Sequence, residues 1–242
     1  MFEYKRLLVI VPHRGVNEGK SRLSAVLNDA ARAKLNRWLL ARTLRIVGKW
    51  LGDAQRCVVV SPCEVTLALA RKAGVVALPE HASEQARAHA STSRLNASLS
   101  QAAAYAAALG AQRLLILPCD LPRLDVEALE AMERLPVFGK GVVIAPDRHF
   151  EGTNALLVDA SVRKFAFGKN SLARHIAQGE ARGESTFPYI NAALAFDLDT
   201  AEDFAEWKNG GDVPQEFLTT VPHSASRSAR VVSSRNNKVV KE

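Results

Sequence analysis

The chain has 242 residues, 48% of them hydrophobic, enough for the full core of one α/β domain. Its three cysteines (Cys57, Cys63, Cys119) form no CxxC pair and its six histidines show no zinc-binding spacing; this excludes a disulfide framework and a zinc ribbon and suits a reducing cytoplasm. The net charge of +7 favours anionic partners, but no basic-aromatic interleaving points to nucleic acid, and no apolar run nears the roughly 18 residues that span a bilayer.

Residues 6–11 are a short Leu/Val/Ile run that stops at Pro12 with no small-residue cleavage site behind it, so they read as a first strand and not as a signal peptide. Residues 29–51 carry apolar side chains at helical spacing (Leu35, Trp38, Leu39, Ile46). A second strand is predicted at 57–61, a helix at 64–73 ending at Gly74, and a third strand at 75–78. The Ala-rich stretch 95–109 predicts a helix stopped by Gly110. A fourth strand at 113–117 and a helix at 125–134 follow. Beyond them come strands at 142–145 and 154–158 around a polar turn, a helix at 172–178, a strand at 194–198 and a last helix at 200–207.

This alternation predicts a three-layer α/β domain, with a mostly parallel central sheet and helices on both faces. The domain is expected over 1–208. From 209 the chain turns Gly-, Ser-, Asn- and Lys/Arg-rich, and 209–242 is expected to be a disordered basic tail.

In such a sheet the ligand lies beyond the carboxyl ends of the strands. The first strand runs into a loop with Arg14, Lys20 and Arg22 and two glycines, Gly15 and Gly19. Cations and close backbone approach suit a triphosphate, although an ordinary charged surface loop has the same composition. Gly15 to Ser21 imitates a Walker A loop but has three residues between its glycines where four are required. The fourth strand runs into Asp120, bracketed by Pro118 and Pro122. A carboxylate there reads equally as a Mg²⁺ ligand or as a turn residue. Asp197 and Asp199 are two apart at the end of the 194–196 strand, so both point to one face. One of Asp199 and Thr200 is expected to cap the next helix, and an acid remains for a metal. Gly168 and Ser171 precede a helix, as an anion site or a plain N-cap, and Arg174 and His175 follow one turn on. His149 and His175 are the general-base candidates, although phosphoryl transfer depends more on charge neutralisation than on a base.

Together, Gly19-Lys20-Ser21-Arg22-Leu23, Leu95-Asn96-Ala97, Leu117-Pro118-Cys119-Asp120-Leu121-Pro122, Ala145-Pro146-Asp147-Arg148, Gly152-Thr153-Asn154, Phe167-Gly168 with Ser171, Arg174 and His175, and the run from Asp197 to Asp203 resemble the 2-phospho-L-lactate guanylyltransferase family of coenzyme F-420 biosynthesis. The resemblance implies a MobA-like nucleotidyltransferase fold, GTP as donor, Mg²⁺ as metal and 2-phospho-L-lactate, phosphoenolpyruvate or 3-phospho-D-glycerate as acceptor. It implies that Asp120, Asp197 and Asp199 hold the metal, that Arg14, Lys20, Arg22 and Asn96 meet the nucleotide, and that Thr153, Gly168, Ser171 and Arg174 meet the acceptor. Lys20, Arg22 and Asp120 would carry the chemistry. A downstream transferase would consume the product, and a homodimer is admitted. The chain departs from the family at Arg14 (commonly Lys), Gly15 (commonly Pro), Arg94 (commonly Gly) and Cys119 (commonly a small residue). The alternatives are a MobA-like enzyme for another acceptor and a non-catalytic GTP-binding protein of the same fold.

Overall fold

A computed structural model of the chain describes residues 6–81, 91–135, 141–161 and 164–218. Among the described residues seven strands form one sheet: β1 (Leu7–Pro12), β2 (Cys57–Ser61), β3 (Val76–Pro79), β4 (Arg113–Ile116), β5 (Gly141–Pro146), β6 (Thr153–Asp159) and β7 (Ser185–Pro188). Their order is β3-β2-β1-β4-β6-β5-β7. β6 pairs antiparallel with both β4 and β5, while every other pairing is parallel. The sheet is therefore mostly parallel, as expected. The carboxyl ends of β1, β4 and β5 and the start of β6 share one rim.

Two apolar layers cover the sheet, whose inner strands are buried on both faces. One face packs on α1 (Asp29–Leu51), α2 (Glu64–Lys72), α4 (Val126–Glu133) and the one-turn α6 (Ala192–Ala195). The other packs on α3 (Ser91–Ala108) and α5 (Ser171–Ala181). Asn28 caps α1 by accepting a hydrogen bond from Ala31 N, and Gly52 ends the helix in the left-handed region at φ 63°.

A third cluster lies at the side of the domain. Leu23, Leu27, Leu35 and Leu39 meet Phe196, Leu198, Phe204, Trp207, Val213 and Phe217. It fastens α7 (Ala201–Asn209) and α8 (Gln215–Leu218) to α1. Residues 209–218, assigned from sequence to the tail, are thus packed: Phe217 is fully buried beside Trp38 and Trp207. Polar spacing hid this, since only Val213 and Phe217 anchor the stretch. Residues 219–242 lie outside the described residues.

Two further differences concern the second half. β7 (Ser-Thr-Phe-Pro) was missed; it is a four-residue edge strand, half exposed and without alternation. The strand expected at 194–198 is not one. Asn191 accepts hydrogen bonds from Ala193 N and Leu194 N, nucleating α6, and the chain leaves that turn extended at Phe196.

Candidate active site

The loop after β1 is shaped by its backbone. Asn36 on α1 donates to the carbonyls of Val16 (3.3 Å) and Glu18 (2.9 Å), pinning the loop from below. Gly19 and Lys20 both take positive φ, 81° and 50°. A left-handed lysine is uncommon and costs conformational energy on the order of 1 kcal/mol. The turn sends its side chain inward, where only 9% of it is exposed. Lys20 Nζ donates to Leu198 O at 2.7 Å and Asp199 Oδ1 at 3.2 Å and lies 3.6 Å from Asp120 Oδ2. Burial opposes this charge, yet the carboxylates of Asp120 and Asp199 outweigh it and hold the ammonium above the ordinary lysine range.

Asp120 follows β4 and is joined to the 196–199 segment by Leu198 N donating to its carbonyl at 3.0 Å. Side chains alternate along that segment. Phe196 and Leu198 are buried in the third cluster, while Asp197 and Asp199 face the rim. The sequence-derived common face thus survives the loss of the strand. Thr200 caps α7 in a reciprocal box with Asp203, whose Oδ2 accepts from the backbone N–H groups of Asp199 and Thr200. This box leaves the Asp199 carboxylate to Lys20. Burial, then the charges of Asp120 and Asp199, push the Asp197 carboxyl above its usual range, against a 3.4 Å contact from Asn154 Nδ2. Two carboxylates, Asp120 and Asp199, therefore share one ammonium, and Asp197 lies in the field of both of them. Burial beside Asp120 raises the Cys119 thiol to about 12, so it stays neutral.

This surplus of negative charge fits a divalent cation. Among the described residues no three His, Cys, Asp or Glu side chains form a group able to hold a metal by themselves. Mg²⁺ needs no such cage, since it takes one or two carboxylates together with phosphate oxygens and water.

Arg14 and Arg22 are exposed on the same loop and pair with no described residue. Asn96, expected beside the nucleotide, has its carboxamide taken up by a main chain: Phe167 N donates to Oδ1 at 2.9 Å and Nδ2 donates to Phe167 O at 3.1 Å. It fastens α3 to the segment before α5. Gly168 in that segment has φ 113°, and a Cβ there would lie 2.4 Å from Thr92 Cγ2. Ser171 and Thr153 are buried, and the exposed Arg174 donates to Phe167 O at 3.2 Å. His175, also buried, contacts Thr153 Oγ1 through Nδ1 at 3.0 Å. His149 is exposed in the 147–152 turn, which the Asp147 carboxylate closes by accepting from the backbone N–H groups of His149, Glu151 and Gly152.

The rim thus joins a charged nucleus at β1, β4 and 196–199 to a cluster of buried polar residues, Thr153, Ser171 and His175, at β6 and α5. Adjacent residues of β6 link them, Asn154 to Asp197 and Thr153 to His175. Residues 7–240 match the family model described as Guanylyl transferase CofC like. The chain belongs to the CofC-like guanylyl transferase family. Among relatives of this family, a phosphoenolpyruvate guanylyltransferase of Rubrobacter xylanophilus is 33% identical over 208 residues, 86% of this chain and 96% of that protein. A 3-phospho-D-glycerate guanylyltransferase of Phenylobacterium zucineum is 35% identical over 205 residues, 83% and 89% of the two chains. The fold resembles that of a nucleotidyl transferase of Methanothermobacter, with TM-score 0.58 at 15% identity over 89% of this chain and 99% of that one.

Three polar residues carry roles that the sequence did not assign to them. His13 lies at the end of β1, its Nδ1 3.2 Å from Thr66 Oγ1, and burial followed by the charge of Lys20 lowers it to about 4. Asn154 links Asp197 to the carbonyls of Leu194 and Ala195, and its place one residue after Thr153 at a strand start was the available signal. Arg148 pairs with Asp203 and Glu206 and stacks on Phe196, bracing the acidic segment; nothing in its spacing indicates this.

Proposed function

We propose that the chain transfers GMP from GTP to a small phosphorylated acid (phosphoenolpyruvate, 3-phospho-D-glycerate or 2-phospho-L-lactate) with Mg²⁺ as metal, serving coenzyme F-420 biosynthesis. The observation that carries this is the pairing of Asp120 and Asp199 with Lys20, with Asp197 in the field of both carboxylates. Similar identity to relatives named for different acids leaves the acceptor to experiment.

In this reaction an oxygen of the acceptor phosphate bonds to the α-phosphorus of GTP while the bond from that phosphorus to the β-phosphate bridging oxygen breaks, and pyrophosphate leaves with the electron pair. The attacking oxygen is already unprotonated near neutral pH, so no general base is needed, and neither His149 nor His175 serves as one. The obstacle is repulsion: at an effective dielectric of about 20, two like charges 4 Å apart cost about 4 kcal/mol. Asp120, Asp197 and Asp199 would hold Mg²⁺. Bound there, the ion would neutralise charge on the transferring phosphate. Lys20, already charged and held, orients the carboxylates of Asp120 and Asp199, and Arg14 and Arg22 meet the outer phosphates. Thr153, Gly168, Ser171 and Arg174 receive the acceptor, and Asn96 acts through the segment it fastens.

No described helix is long and apolar enough to cross a membrane, and the free cysteines fit a reducing cytoplasm. The product joins two phosphates in an anhydride, so a transferase that consumes it is the expected next partner. Pyrophosphate release from GTP, Mg²⁺ and each of the three acids tests the reading. Release with at least one acid, its dependence on GTP over ATP, and its loss in a folded Asp120→Asn variant are expected. Full activity in that variant would remove the metal assignment.

A further inference from the structure

The imidazole of His175 touches two groups of different character. The main-chain N–H of Ala166 approaches Nε2 at 3.2 Å, and Thr153 Oγ1 lies 3.0 Å from Nδ1. A peptide nitrogen can only donate. Nε2 is therefore the bare, accepting nitrogen, and the ring proton is on Nδ1. Nδ1–H in turn donates to Thr153 Oγ1. The ring has little freedom to do otherwise: it is 3% exposed and packs edge-on against Phe167, with centroids 4.8 Å apart.

The consequence falls on Thr153. A hydroxyl that accepts from Nδ1–H must send its own proton elsewhere. No described residue takes that proton. Thr153 begins β6 at the ligand rim, next to Asn154 and its contact with Asp197. Ser171 lies one helical turn before His175, on the same buried face of α5. Carboxylate and phosphate oxygens carry no proton at neutral pH and can only accept.

We infer that His175 is a positioning residue for the acceptor acid: by holding its proton on Nδ1 it fixes the Thr153 hydroxyl as a hydrogen-bond donor aimed at an anionic oxygen of that acid. This rests on the proposed transfer reaction and assigns within it what makes the acceptor pocket selective for an anion. With the hydroxyl polarity reversed, a lone pair would face the substrate anion. The pocket would then repel the group it should bind.

Two nearly isosteric variants separate polarity from packing. His175→Asn still presents an N–H to Thr153, whereas His175→Asp presents only acceptors and draws the Thr153 proton to itself. In the pyrophosphate-release assay with the accepted acid, KM for the acid is expected to rise about ten-fold or more in His175→Asp relative to His175→Asn. KM for GTP should stay within about two-fold. In a Thr153→Val background the gap between the two variants should vanish. Equal variants in the Thr153 protein would overturn the inference. So would a gap of full size without the hydroxyl, which would mark simple repulsion by the new carboxylate. Two-bond ¹H–¹⁵N correlation of the unmodified chain decides the tautomer even if a variant does not fold: a proton on Nδ1 is expected, and one on Nε2 overturns the assignment. If the unmodified chain releases no pyrophosphate with any of the three acids, the transfer reaction itself is lost. A proton found on Nδ1 in that case would separate its failure from a failure of the hydrogen-bond reading.

Discussion

The two ends of the ligand rim are built from different materials. Around Lys20, charge is held by charge: one buried ammonium faces Asp120 and Asp199, and burial together with these two carboxylates pushes the carboxyl of Asp197 up. Around Thr153 the buried polar groups are held by main chain, His175 by Ala166 N–H and Asn96 by Phe167. The first arrangement leaves an electrostatic imbalance that suits an incoming cation. The second is almost fully hydrogen-bonded. The contrast follows the chemistry proposed for each end. On that proposal the nucleotide side would manage strong repulsion, while the acceptor side would recognise a small anion by shape and donor placement.

The largest expected effect breaks the charged end. Lys20→Met removes the ammonium that faces Asp120 and Asp199 and leaves its hydrogen-bond partners, Leu198 O and Asp199, without it. Transfer should fall about a thousand-fold, roughly 4 kcal/mol, by initial rates of pyrophosphate release. KM for the acid should move far less than kcat. An equal loss in both would mean that the two ends are not separate.

Next in size is a change that reaches the charged end through packing. Phe217 is buried against Trp38 and Trp207 in the cluster that also holds Leu23, Phe196 and Leu198, the neighbours of the acidic and basic loops. Phe217→Ala should cost about 3 kcal/mol of stability in denaturant melts. It should loosen the loops around Lys20 without touching the Thr153 pocket. Unchanged stability would show that α8 does not brace the site.

The Thr153 end is tested by Gly168→Ala. The residue has φ 113°, and an added Cβ would meet Thr92 Cγ2 at 2.4 Å. Strain and collision together should displace the segment before α5 and raise KM for the acid about ten-fold, near 1.4 kcal/mol, with KM for GTP little changed. Thr92→Ala in the same protein should recover the part due to collision.

The same division governs what could be read from sequence. The parallel half was legible because β1, β2 and β4 are continuous apolar runs and α1 and α3 repeat at helical spacing; α3 merely starts four residues earlier, in a Ser-Thr-Ser-Arg stretch without periodicity. The three acids were legible as carboxylates at chain reversals, even though the supporting strand is a helical turn and an extended segment. The pairing of two of them, Asp120 and Asp199, with Lys20 was not, since it depends on a left-handed turn at Gly19-Lys20 that spacing does not reveal. The buried polar cluster was least legible. Thr153, Asn96 and His175 are ordinary residue types whose meaning comes from the atoms opposite them.

His13 gives the smallest effect and crosses the division, being a neutral histidine inside the charged end. Burial, with the nearby Lys20 charge, lowers its pKa from 6.5 to about 4. The folded chain therefore binds its proton less readily than the unfolded chain does. Stability from this residue is present above pH 6.5 and is lost as pH falls from there toward 4. Between pH 7 and pH 5 the loss should be about 1–2 kcal/mol. It is read as the difference between the unmodified chain and His13→Asn, whose amide cannot titrate and still reaches Thr66. Lys20→Met should shrink that difference, because one of the two causes of the lowered pKa is removed. A difference that does not change with pH would place His13 in contact with water and outside the field of the charged end.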